Sequence, residues 1–233
     1  MSSLLLLAPA AGAPESTAPA GPVPFTAVYG VEWHGITAGY STLELKQTGP
    51  DMYSYSSHIR ARGIFRLAFP DVLTQISTFR ILDGHVAPLT YHEDDGTSDE
   101  SKQVSLTFDW QGLRVRGTAE RKSVDQPLKP GTQDPFSVQI ELMRDLAAGA
   151  TPATFVLFDK HEAKEYRYTR ERTEALDTPL GHLEAVVYRS DRPDSDRVTR
   201  LWLAPTLGFL PVQAERRRHD KVDFSLHIRE VHR

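Results

Sequence analysis

The sequence predicts a mainly β fold: a strongly curved antiparallel sheet, an open barrel or β-spiral, with one helix packed in its concavity. Three observations carry that prediction. Apolar and polar residues alternate at period two in segment after segment, from Phe25 almost to the C-terminus. One stretch, opened by Asp134-Pro135, breaks this period and repeats apolar residues at helical spacing. The turn signals divide the rest into about thirteen strands, and strand twist makes so wide a sheet curl, split or close.

The first strand, 25–33, places Phe25, Ala27, Tyr29, Val31 and Trp33 on one parity, with Thr26, Gly30 and Glu32 between them. Val104, Leu106, Phe108 and Trp110 alternate in the same way with Ser105, Thr107 and Asp109. Successive side chains of a strand point to opposite faces, so each run buries one face and wets the other. Half-buried strands belong to antiparallel sheets, since parallel sheets are covered on both sides. Further strands are predicted at 38–47, 52–61, 72–82, 86–93, 102–110 and 113–120. Thr48-Gly49-Pro50-Asp51, Asp83-Gly84 and Gln111-Gly112 supply the turns between them. The acidic run from Glu93 to Glu100 reads as an extended hairpin tip.

The helix is predicted at 135–148. Asp134 can cap it, and Pro135 suits its first position, where a missing N–H costs nothing. Phe136, Ile140, Met143 and Ala147 recur at helical spacing, flanked by Leu142 and Leu146, and Gly149 can end the segment. A second group of strands follows at 153–159, 164–172, 180–189, 197–204, 210–218 and 222–231. The last of them alternates Val222, Phe224, Leu226 and Ile228 with Asp223, Ser225, His227 and Arg229. Phe155-Val156-Leu157-Phe158 is apolar on both parities, which predicts a strand that is central or covered on both faces. No linker divides the chain and no fixed repeat runs through it, so 25–233 reads as a single domain.

A chain of 233 residues, 39% apolar, suits one large all-β unit with a solvated face. A net charge of -4 gives no electrostatic case for nucleic acid or for an anionic membrane surface. Leu4-Leu5-Leu6-Leu7-Ala8 leads into Ala11-Gly12-Ala13, a small-x-small cleavage pattern, so 1–13 reads as a secretory signal. It is incomplete, because no Lys or Arg precedes the leucines. Its apolar stretch is too short to span a bilayer. Residues 14–24, rich in Pro, Ala and Gly, read as a disordered lead-in. The expected location is the periplasm; the alternative is a low-complexity cytosolic tail. The absence of cysteine is compatible with export and excludes a disulfide framework.

No catalytic residue, metal site or cofactor is predicted. Gly39-Tyr40-Ser41-Thr42-Leu43 starts like a nucleophile elbow but lacks the final glycine and the strand-to-helix setting. The acidic tip lacks the ligand spacing of an EF-hand, and the nine histidines form no paired zinc motif. The basic run Arg216-Arg217-Arg218-His219-Asp220-Lys221 can meet phosphate head groups, but reads first as a solvated hairpin turn. Tyr166 and Tyr168, set among charges, read as cross-strand pairs on an exposed face. One segment resists such a reading. Gly63-Ile64-Phe65-Arg66-Leu67-Ala68-Phe69-Pro70 joins two strands yet is strongly apolar, where connections are normally polar. Phe65 and Phe69 can share one side of a helical turn. Ile64, Phe65, Leu67 and Phe69 are therefore the candidate ligand-binding residues, with a plug in the curved sheet as the competing role.

Taken together, several short motifs resemble the bacterial exported family catalogued as domain of unknown function 3108, over almost the whole of Phe25 to Val231. They are His34-Gly35-Ile36-Thr37-Ala38-Gly39, Gly63-Ile64, Val104-Ser105-Leu106-Thr107-Phe108-Asp109 and Asp134-Pro135-Phe136-Ser137. Thr178-Pro179-Leu180-Gly181 and Leu201-Trp202-Leu203-Ala204 with Leu210-Pro211-Val212 complete the set. The C-terminal pattern is also similar, more distantly, to periplasmic proteins of the lipoprotein-carrier type, which wrap a curved sheet around helices and hold acyl chains. The resemblance implies no catalytic residues. The favoured reading is a non-catalytic exported protein that supports the cell envelope by binding a lipid or a lipoprotein acyl chain. The alternative is a periplasmic scaffold that binds another envelope protein or peptide and has no lipid pocket. A hydrolase is disfavoured, since no nucleophile–base pair is visible.

Overall fold

The computed structural model describes residues 21–219 and 221–233. The leader predicted at 1–13, and residues 14–20 of the lead-in, lie outside the described residues. From Phe25 onward the chain builds β1 (Phe25–Trp33), β2 (Ile36–Gly49), β3 (Met52–Ala61), β4 (Leu73–Leu82) and β5 (His85–Asp94). Then come β6 (Val104–Asp109), β7 (Arg114–Ala119), β8 (Lys122–Pro127) and the helix α1 (Ser137–Ala147). The return half is β9 (Thr154–Asp159), β10 (Glu162–Thr178), β11 (Gly181–Asp191), β12 (Arg197–Ala204), β13 (Leu210–Arg218) and β14 (Lys221–His232).

The strands form one 14-stranded antiparallel sheet, curved and not closed, in the order β8-β7-β6-β5-β4-β3-β2-β1-β14-β13-β12-β11-β10-β9. The chain thus starts in the middle of the sheet and meanders outward to β8. It crosses through α1 to the opposite edge and meanders back until β14 pairs with β1. Tight turns make this possible. Asp83 and Gly84 both have positive φ, 51° and 81°, the requirement of a two-residue turn whose twist matches its strands. Edges are the weak point of an open sheet. Here the Gln133 backbone covers the rim of β9, donating to the Val156 carbonyl and accepting from the Phe158 N–H, both at 2.8 Å.

That arrangement decides between the two readings of Phe155–Phe158. β9 is the last strand of its edge, not a central one, yet it is covered on both faces. Phe158 belongs to the large core, while Phe155 and Leu157 face a second one. The large core gathers the inner face of both halves: Tyr29, Leu45, Tyr55, Phe79, Leu106 and Val115, then Val187, Trp202, Leu210 and Ile228. Phe136 and Ile140 join it from the helical segment. The second core sets Val138, Leu142 and Leu146 of α1 against Phe155, Leu157, Tyr168, Tyr188 and Leu203. Tyr168, read in the sequence as exposed, is therefore buried, with its hydroxyl pKa pushed up to about 12 by desolvation. The helix has work on both flanks, which is why its apolar residues extend beyond one stripe.

The acidic run is not an extended tip. Asp94 and Asp95 each accept an N–H two residues on, from Gly96 and Thr97, at 3.0 Å. Lys102 lies 3.3 Å from Asp95, and Gly96 accepts a hydrogen bond from the Asp71 backbone. The carboxylates fold the run back on the sheet.

Ile140 is fully buried between the halves of the sheet (0% exposed). Truncating such a residue removes transfer energy and leaves a void. Ile140→Ala is expected to cost about 2–5 kcal/mol in urea unfolding with an unchanged m-value. A loss below about 0.5 kcal/mol, the range of indifferent surface changes, would show that the helix does not pack this way.

Candidate functional site

The connection after β3 forms a short helical turn. Gly63–Leu67 is 3₁₀, opened by the Arg62 N–H on the Ala38 carbonyl at 2.7 Å. An i→i+4 bond from the Phe69 N–H to the Phe65 carbonyl, 2.9 Å, closes it. Residues three apart in a 3₁₀ turn eclipse, which sets Ile64 and Leu67 on one side, and the i→i+4 bond at its end sets Phe65 and Phe69 together. Phe65 and Phe69 accordingly face inward, partly buried, and line a cavity of about 290 Å³. Ile64 and Leu67 take the other side and stand 77% and 88% exposed. The four candidate residues are thus separated: two line the cavity, and two are exposed to solvent.

The cavity lies within the curve of the sheet. Val31, Leu43, Ile59, Leu73 and Leu226 supply apolar wall from β1 to β4 and from β14. Its floor is the start of the helical segment. Phe136 stacks on Tyr55 with ring centroids 4.1 Å apart and planes 10° from parallel, and Gln139 Nε2 donates to the Tyr55 hydroxyl at 2.6 Å. Phe136 and Gln139 line this cavity, whereas Ile140 and Met143 line another of about 440 Å³ beside Phe25 and Leu207. The helix therefore partitions the concavity without filling it.

One part of the wall is polar. Glu93 accepts from the Tyr91 hydroxyl and, at 3.2 Å, from Gln75 Nε2. Asp71 and Arg216 also line the space. Sequence reading missed this group. In the sequence Glu93 opens an acidic run and Arg216 a basic one, and neither run points to a cavity.

The helix is held by buried polar groups. Asp134 is fully buried (0% exposed); its Oδ1 accepts the N–H groups of Phe136 and Ser137 at 2.7 Å, and its Oδ2 accepts Ser77 Oγ–H at 2.6 Å. Burial pushes its carboxyl pKa up from 3.8 against those bonds. Further along, Glu141 Oε2 accepts the Val86 N–H and Oε1 meets His85 Nδ1, each at 2.7 Å. His85, Glu141 and Asp145 bring their ligand atoms within 4.8 Å of one another, a grouping of metal-ligand types that the sequence did not suggest. Both Glu141 oxygens already have protein partners, so the trio clamps α1 to the β4–β5 turn. Ser41, in the elbow-like motif, is buried inside β2 and bonded to Ser57 Oγ at 3.2 Å. Its neighbour Gly39 is required by packing, since a Cβ there would sit 2.1 Å from the Arg60 carbonyl oxygen.

The family described as "Protein of unknown function (DUF3108)" matches residues 26–220. The chain belongs to the DUF3108 family. No curated protein matches it. Among solved structures it is similar to a β-barrel-like protein of the DUF1849 family from Brucella abortus, with a TM-score of 0.56 and 14% identity over 91% of this chain and 98% of that one. It is also similar to a putative exported protein with a YmcC-like fold from Bacteroides fragilis, with a TM-score of 0.36 and 11% identity over 91% and 97% of the two chains. At this identity the Brucella likeness carries the fold alone. Several motifs of the DUF3108 chain have structural roles. His34-Gly35 is a positive-φ turn, Asp134-Pro135-Phe136-Ser137 opens and anchors the helix, and Thr178 Oγ1 bridges its own hairpin by accepting the Leu180 N–H and donating to the Gly181 carbonyl. No described helix is long and apolar enough to cross a membrane.

Proposed function

We propose that this DUF3108 chain is an exported, non-catalytic protein of the periplasm that holds an apolar chain, from a lipid or a lipoprotein, in support of the cell envelope. The observation that carries the reading is the apolar cavity of about 290 Å³ left beside Phe136, with Phe65 and Phe69 at its border. That volume sits at the foot of the usual range for ligand sites, about 300–1,000 Å³, which suits one chain better than a two-chain lipid. Export rests on Leu4 to Leu7 and the small residues after them. The non-catalytic reading is supported by Ser41, whose hydroxyl is buried in a strand beside another serine.

The alternative, a scaffold for another envelope protein, is favoured by one feature. Ile36, at the start of β2, and Ile64 and Leu67, in the connection after β3, are large, apolar and strongly exposed. Such patches mark interaction surfaces.

An environment-sensitive fatty-acid probe tests the two. It is expected to bind the wild type saturably. Phe65→Ser with Phe69→Ser removes two rings that can each bury roughly 150–250 Å². Affinity for the probe is then expected to fall at least tenfold, about 1.4 kcal/mol. Equal or tighter binding with lower stability would assign the rings to a plug. No binding by the wild type would leave the scaffold reading.

A further inference from the structure

We infer that Arg216 reads an anionic head group, a carboxylate or a phosphate, on a single-chain amphiphile held in the cavity; the inference rests on the apolar-chain reading above. The basic run at the β13–β14 hairpin is not uniform. Arg217 is engaged by Glu215 at 3.1 Å, and Arg218 and His219 lie 3.6 and 3.4 Å from Asp196. Arg216 is different. It stands in regular register opposite Phe224, and the pairing of β13 with β14 shifts only after it, between Arg216 and Arg217. Arg216 lines the cavity, its guanidinium carbon 5.7 Å from the centre of the Phe224 ring, which lines it too. Among the described residues it has this aromatic contact and no hydrogen bond or ion pair. Its fork of five donors stands exposed at the edge of the cavity, with Asp223 and Glu93 the nearby carboxylates whose charge it feels.

Desolvation and the neighbouring Arg197 lower its pKa, while the carboxylates of Asp223 and Glu93 act in the opposite direction. The cavity also holds two carboxylates. Glu93 is committed to Tyr91 and Gln75, while Asp71 is exposed. Their presence makes the sign of the head group a real question. Arg216 decides it because a guanidinium grips a carboxylate or phosphate through two parallel hydrogen bonds, stronger than a neutral contact.

Competition against a bound fatty-acid probe tests this with probes of one chain length: dodecanoate, dodecyl phosphate, dodecanol and dodecylamine, and inorganic phosphate without a chain. Dodecanoate and dodecyl phosphate are expected to compete at least about tenfold better than dodecanol, as one charge-assisted pair allows, and phosphate alone not at all. Whichever anion competes better names the head group. Arg216→Gln, checked for unchanged thermal unfolding, is expected to abolish that preference while dodecanol binding stays the same. Arg216→Lys keeps the charge without the fork and is expected to fall between. The inference is overturned, with the cavity reading intact, if dodecanol equals dodecanoate, if dodecylamine wins, or if Arg216→Gln keeps the preference. Competition by inorganic phosphate as strong as by dodecyl phosphate would overturn it too. Failure of every probe would sink both readings.

Discussion

Replacing Asp134 with Ala is expected to lower the unfolding free energy by about 2–5 kcal/mol. The loss of a helix cap costs about 0.5–2 kcal/mol, and an orphaned buried donor about 1–3 kcal/mol. Asp134 is buried, and three donors depend on it: the N–H groups of Phe136 and Ser137 and the hydroxyl of Ser77. No solvent can replace it. Urea unfolding of the wild type and Asp134→Ala reads the difference; a loss within about 0.5 kcal/mol, the surface range, would show that the carboxylate does not anchor the helix. The pH dependence follows from the same burial. The folded pKa lies above the usual 3.8, so the native state binds this proton more tightly than the unfolded chain. The resulting stability is present below the unfolded pKa and is lost as pH rises through the folded one. The gap between wild type and Asp134→Asn should therefore move in favour of Asn as pH rises through the acid range. A gap independent of pH would sink the assignment.

Period-two alternation was a strong guide to this sheet because most strands bury one parity in a common core. It failed where the burial is sparse. β8, Lys122–Pro127, escaped notice because Val124 is its only buried side chain, so no alternation is visible. β10 runs to Thr178, beyond the predicted 164–172, because Glu171 to Asp177 lie largely exposed on a long hairpin and carry charges rather than a buried stripe. The helix was legible from Asp134-Pro135 and its spacing, and begins two residues later than expected because Asp134 caps from outside it. The covered character of Phe155–Phe158 could be read; its place at the rim could not, since periodicity reports burial and not strand order.

The candidate site was half legible. An apolar connection marked the border of the cavity, and the four-residue spacing of Phe65 and Phe69 gave their common side. Nothing in the spacing placed Ile64 and Leu67 outside, since that depends on how the turn sits on β2 through the Arg62–Ala38 bond. Arg216 and Glu93 come from β13 and β5, far apart in the chain. They line one cavity although β5 and β13 are not neighbours in the sheet, and neither strand's alternation reports that meeting.

Phe136→Ala is expected to cost about 3–5 kcal/mol, the usual range for an aromatic removed from a core. The ring is buried, stacked on Tyr55, and at once core and cavity floor. Its removal forfeits the stacking contact, worth about 0.5–1.5 kcal/mol beyond the buried area. It also leaves a void, which adds roughly 24 cal/mol for each Å³ that the surroundings fail to fill. Asp134 and Gln139 hold the backbone on either side through Ser77 and Tyr55, so collapse into that void is restricted. The space should instead join the cavity. The variant is thus expected to unfold at lower urea and yet to accept a longer or bulkier fatty-acid probe than the wild type. The two effects separate the roles of the ring. A large loss of stability with unchanged probe selection would make Phe136 a packing residue with no part in the site. A loss below about 1 kcal/mol would mean that the site has collapsed, or that the stack on Tyr55 holds little, and the partition of the concavity by the helix would fail with it.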